Sequence, residues 1–191
     1  SWMSAWEREF LNWAETKVIS TDTVQTIQKA ESDSKIYKIY PVAATLTEYF
    51  LLEYRDPSPS GADSAPGEGL LIWHVDNTVG SLSSNSVNTT DNNTQSSHGR
   101  LHLEAADGGR NTTISDLGDA GDPWPGFEGK TTFADNTTPN TRAYSQSGAR
   151  FSVKKISLAA DSISFTVSFT DTLSEYNTSA VTSVKADTVV L

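Results

Sequence analysis

The chain has 191 residues, 14 Lys+Arg against 24 Asp+Glu, a formal net charge of −10 and no cysteine. A field of that sign repels phosphate backbones and argues against any nucleic-acid partner, while suiting cation binding or life outside a cell. Without cysteine there are no disulfides, thiolate zinc sites or cysteine nucleophiles.

With 36% hydrophobic and 20% charged residues, the composition is that of one folded domain, or one domain with an appendage. No apolar run approaches the roughly 18 residues of a membrane helix, so no membrane span is expected. The chain opens at Ser1-Trp2-Met3, with neither an initiator Met nor a signal peptide. That opening reads as a processing point or the visible part of something longer.

Ser4-Ala5-Trp6-Glu7 has the capping-box pattern, and Trp6, Phe10 and Trp13 follow at helical spacing, which predicts an amphipathic helix from about Ala5 to Ala14. A helix this short is not stable alone, so Trp6 and Trp13 are expected to be buried on the rest of the domain. Strand language follows. Val18–Val24 is β-branched, Lys35–Tyr40 alternates and is stopped by Pro41, and Thr47–Arg55 is a strand free of breakers. Arg55–Gly69 is a Pro/Gly/Ser/Asp loop, and Gly69–Asp76 is a continuous apolar run suited to burial on both faces.

Asn77 to Ser97 is a long polar loop, Arg100–Ala105 alternates as a strand, and Asp107–Pro139 is Gly-, Asp- and Thr-rich with few apolar residues except Trp124, Phe127 and Phe133. Ala149–Leu158 and Ser162–Thr170 read as a hairpin turning at Ala159–Asp161. The fold class expected is mainly β, an antiparallel β-sandwich-like domain with one short N-terminal α-helix. The divisions are residues 1–15 as the helix, 16–170 as the β-rich domain, and 171–191 as a C-terminal tail or added strand. In the tail, Val181, Val184, Val189, Val190 and Leu191 restore apolar character.

Six segments taken in order carry a resemblance: SAWEREFLNW, EYFLLEYR, GLLIWHVD, RLHLEAADGG, GDAGDPWPG and TTPNTRAYSQSGARFSVKKIS. Together, from about Ser1 to Thr170, they resemble the downstream part of immune inhibitor A-type secreted zinc metallopeptidases. The resemblance implies that residues 1–15 lead out of a peptidase core. It also implies a secreted, extracellular protein, with zinc confined to a catalytic part upstream. The family's zinc motif is H-E-x-x-H, two His ligands one helical turn apart with a Glu base. It does not occur in this sequence. No catalytic residue is carried over, and the chain alone is expected to be inactive.

Sites read from residue chemistry are few. His98 and His102 at i, i+4 with Glu104 beyond offer three zinc-type ligands on one strand face, weakened by Gly99; a histidine near His98 also belongs to the family's structural pattern. His74, inside the most apolar strand, reads as a core histidine held by a nearby carboxylate such as Asp76. Asp119 and Asp122, with Asp107, Asp76 and Glu104 as contributors, are the candidate calcium ligands, because hard cations take carboxylates and carbonyls on Gly-containing loops. Asp116 lies in the same stretch, and an Asp-rich turn region that caps its own backbone is the plainer reading. Glu53 and Glu104 are a weak pair of strand carboxylates for glycoside hydrolysis. No G-x-S-x-G elbow and no Gly-rich phosphate loop opening a helix are found. Asn88, Asn92, Asn111, Asn136 and Asn177 head glycosylation sequons.

Two functional readings follow. One is a non-catalytic β module of a secreted metallopeptidase-like protein, packing on or shaping the peptidase half, which is absent from this chain. The other is an extracellular structural subunit of a fibre, filament or surface layer, whose neighbouring copies are joined by β-strand addition. The loop aromatics Trp124 and Phe127 leave a carbohydrate- or protein-binding module as a third class.

Overall fold

The computed structural model describes residues 3–42, 46–57, 67–83, 98–109, 118–144 and 150–170. The elements are α1 (Ala5–Phe10), β1 (Glu15–Ile19), β2 (Thr23–Gln28), β3 (Lys35–Ile39), β4 (Glu48–Arg55), β5 (Gly69–Asp76), β6 (Leu101–Leu103), β7 (Phe151–Ala159) and β8 (Ser162–Phe169). One sheet has the order β1-β3-β4-β5-β6 and the other β2-β8-β7. Every pairing is antiparallel except β1 with β3. β1 and β3 pair in parallel because β2, between them in sequence, lies in the other sheet.

The fold is therefore mainly β, two packed sheets with one short N-terminal helix. Side-chain parity explains the packing, since successive residues of a strand point to opposite faces. On β4 and β5 the even-numbered residues Phe50, Leu52, Tyr54, Leu70 and Ile72 join the core between the sheets. They meet Ile163, Phe165 and Val167 of β8 and Phe151 and Val153 of β7. Odd-numbered Tyr49, Leu51 and Val75, with Ile36 of β3, form a second cluster around Ala5 of α1. EYFLLEYR is buried along its whole length because the other sheet covers one of its faces and the helix the other.

The capping box forms as read: Ser4 Oγ accepts from Glu7 N, and the Glu7 carboxylate accepts from Ser4 N. The helix is shorter than its apolar spacing suggests. It ends at Phe10, and Asn12 adopts φ 58°, which turns the chain into β1. Trp13 then falls outside the helix and is 62% exposed, against the expected burial, while Trp6 is half-buried. Val18–Val24 is two strands rather than one, because the chain crosses between sheets at residues 20–22. The expected β7–β8 hairpin is present, with a bulge between Lys154 and Ser157. The tail, residues 171–191, lies outside the described residues.

The helix is fastened by Glu53. This carboxylate, on the helix-side parity of β4, is fully buried. Its Oε1 accepts from Ala5 N at 3.0 Å and from Trp73 Nε1 at 2.8 Å, and Oε2 accepts from Arg8 Nη2 at 2.9 Å. A negative group at the first turn also opposes the positive end of the helix dipole.

Candidate functional site

Two clusters of chemistry-bearing side chains stand out, one toward the Asp76 end of β5 and one toward its Gly69 end. The first follows from parity. Glu48, His74, Asp76 and His102 occupy inward-facing positions of their strands, and Glu104 extends the series past β6. His74 is buried, with Nδ1 3.0 Å from Glu104 Oε1 and Nε2 2.9 Å from Glu48 Oε1. Both ring nitrogens face carboxylates, so the imidazolium satisfies both contacts at once. Burial alone drives the His74 pKa down, but the hydrogen bonds that the ring donates to Glu104 and then Glu48 outweigh it and the net shift is upward.

Glu48 Oε1 also accepts from Tyr144 N at 2.6 Å. The His74 ring lies between Phe50 and Tyr144, each with centroids 4.1 Å away, and His98 stacks on Tyr144 at 3.6 Å. His98 Nε2 is 3.0 Å from Asp76 Oδ2. Asp76 Oδ1 accepts from Thr78 N at 2.8 Å and Thr78 Oγ1 at 2.6 Å. Burial pushes the Asp76 carboxyl up, but the bonds from Thr78 and His98 overcome it and hold the group below the usual carboxylate range.

This arrangement is a closed polar core. His74 is a satisfied core histidine, but its partners are Glu48 and Glu104, whereas Asp76 holds His98. The zinc-type trio does not converge, because Glu104 turns to His74 and His98 to Asp76. Glu53 and Glu104 lie on opposite faces of the sheet, one with the helix and one between the sheets, so they cannot flank one glycosidic bond.

The second cluster is Asp107, Asp119 and Asp122, whose carboxylates each offer an oxygen within 4.8 Å of the others. Backbone bonds Ala106 N to Asp122 O and Asp107 N to Gly121 O lay the two loop segments side by side. Gly109 N donates to Asp107 Oδ1, Gly121 N to Asp119 Oδ1, and Asp119 N to Asp122 Oδ2. A Cβ on Gly121 would stand 2.8 Å from Asp107 Oδ2, so a side chain there would displace that carboxylate. Three carboxylates on glycine loops are a donor set for a hard cation. Of the five candidate ligands the fold brings these three together and commits Asp76 and Glu104 to the histidines.

Trp124 is fully buried and donates its indole N–H to Glu104 O at 2.8 Å, whereas Phe127 is 87% exposed. Asn136 is exposed in a turn that Thr137 Oγ1 closes onto Ala134. Asn88, Asn92, Asn111, Asn177 and Asp116 lie outside the described residues. The Glu48–His74–Glu104 network was missed as a unit. Its signal was there to read: polar residues at the inward parity of EYFLLEYR, GLLIWHVD and RLHLEA.

Fold and site together define a mainly β, two-sheet protein with a buried histidine–carboxylate network and a separate aspartate cluster. Comparison with protein-family models, with curated proteins and with solved structures gives no match. Among the described residues no helix is long and apolar enough to cross a membrane.

Proposed function

We propose that this chain is the non-catalytic β module of a secreted metallopeptidase-like protein, packing on or shaping a peptidase half that the sequence does not contain. The ordered motifs support the family, and no H-E-x-x-H is present to supply zinc ligands and a base. The observation that carries the packing role is the two-sided character of the N-terminal segment. One side of α1 is tied to the sheet through Glu53. Beside it stand Phe10 at 60% exposure, Leu11 at 41% and Trp13 at 62%, with Trp6 stacked on Phe10. Clustered exposed rings of this kind mark an interaction surface. In this reading the aspartate cluster binds calcium and stiffens the loops that carry it, and Asn136 is an accessible glycosylation site outside the cell.

The experiment mixes the purified chain with a separately produced peptidase half bearing H-E-x-x-H. The chain alone, with zinc, is expected to leave a peptide library uncut. The mixture is expected to form a complex that Phe10→Ser with Trp13→Ser weakens at least tenfold. Chelator-sensitive cleavage by the chain alone, or a complex indifferent to both substitutions, overturns the proposal.

A further inference from the structure

The two sheets present four edges, and three of them carry a device against pairing. β1 sets Glu15 and Lys17 on its edge. β6 is three residues long. β7 is covered by the 131–133 segment, through reciprocal bonds between Phe133 and Val153 and a bond from Ile156 N to Thr131 O, and it is bulged as well. β2 has none of these. Its sequence is TVQTIQ, six residues without charge or proline, paired with β8 along one side. Among the described residues its other side, from Thr23 to Gln28, has no hydrogen-bonded partner.

The flanks are quiet too. Asp22 accepts from Phe169 N at 2.8 Å, and Lys29 is shared between Asp56 and Asp161, each at 3.4 Å. Beneath the edge Ile27 is buried, so the core is already closed and only backbone groups are left to satisfy.

We propose that the outer edge of β2 docks a second copy of this chain through antiparallel β2–β2 pairing, which joins the two three-stranded sheets into one. A closed two-fold contact pairs one surface with itself. For a strand edge that means antiparallel pairing, and side chains opposite each other must share a face. Registers centred on a single residue meet this condition, and the one centred on Gln25 pairs Thr23 through Ile27. Gln25 faces its own counterpart, Thr23 faces Ile27, and Val24 faces Thr26 on the solvent side. All six residues are neutral, so self-pairing sets no like charges opposite one another, although each chain carries −10. This favours a second copy over a partner chosen by charge. A contact of one strand is small, so the dimer is weak and concentration-dependent.

The test is sedimentation of the full chain from micromolar to millimolar concentration, with amide exchange read at β2. Dimer formation and slowed exchange of the outward β2 amides are expected to rise together. Val24→Lys with Thr26→Lys puts like charges opposite each other twice on exposed positions, and is expected to weaken association at least tenfold at an unchanged melting temperature. A chain that stays monomeric with freely exchanging β2 amides, or a dimer that survives the double substitution, overturns the proposal. A chain cut after Thr170 separates the other occupant. If the full chain is monomeric with β2 protected and the cut chain dimerises, residues 171–191 occupy the edge and the second copy does not.

Discussion

Removing the Glu53 carboxylate tests how α1 is held. In Glu53→Ala, Ala5 N and Trp73 Nε1 lose their acceptor, and the Arg8 guanidinium, 4% exposed, loses its carboxylate. Arg55 Nη1, 3.7 Å from Glu53 Oε1, loses a neighbouring charge as well. Arg8 Nε already lacks a partner among the described residues, so the guanidinium starts under-satisfied. Breaking a buried pair by deleting one member costs about 3–5 kcal/mol, because the other charge stays buried and uncompensated. A chain of this length loses about 2–4 °C per kcal/mol, which puts the fall in melting temperature at roughly 6–20 °C. Replacing both members, as Arg8→Met with Glu53→Leu, is expected to recover the share due to the stranded Arg8 charge, while Ala5 N and Trp73 Nε1 still lack their acceptor. Thermal unfolding followed by circular dichroism gives the midpoint. A single variant melting within about 2 °C of the parent would refute the reasoning and show α1 to be a loose appendage.

The raised His74 pKa makes stability depend on pH in one direction. The contribution is complete below the unfolded value of about 6.5 and is lost as pH rises through the higher folded value, so denaturation midpoints should fall above neutrality and His74→Gln should flatten that slope. Asp76, held below its ordinary range, adds stability above about 3.8 that disappears as pH falls through its folded value; Asp76→Asn should remove that acid-side loss in the same titration. If the aspartate cluster takes calcium, saturating the chain at a hundredfold excess over Kd adds about 2.7 kcal/mol, and Asp122→Asn should abolish the difference between calcium and chelator melting curves; identical parent curves would dismiss the site. Trp124→Ala should cost about 3–5 kcal/mol by chemical denaturation, because the ring is fully buried against Phe133. Trp13→Ser should stay within about 0.5 kcal/mol of the parent in the isolated chain.

The sequence by itself determined the local devices and the class of fold. The capping box at Ser4 and Glu7, the two-faced burial of GLLIWHVD and the β7–β8 hairpin rest on short-range chemistry: a side-chain bond three residues away, a period of two, a turn. Parity also marked the inward polar residues. Tertiary structure decided which of them meet. Glu48 reaches His74 because β4 and β5 pair in a register that sets Phe50 opposite His74, and Glu104 reaches it only once β6 lies beside β5. His74 therefore took distant glutamates, while Asp76, its neighbour in sequence, went to His98. The end of α1 and the exposure of Trp13 were likewise settled by the turn into β1 at Asn12, which apolar spacing does not encode. Contacts within a few residues are written in the chain's own periodicity, whereas a partner many residues away is chosen by strand order and register, which only the assembled sheets define.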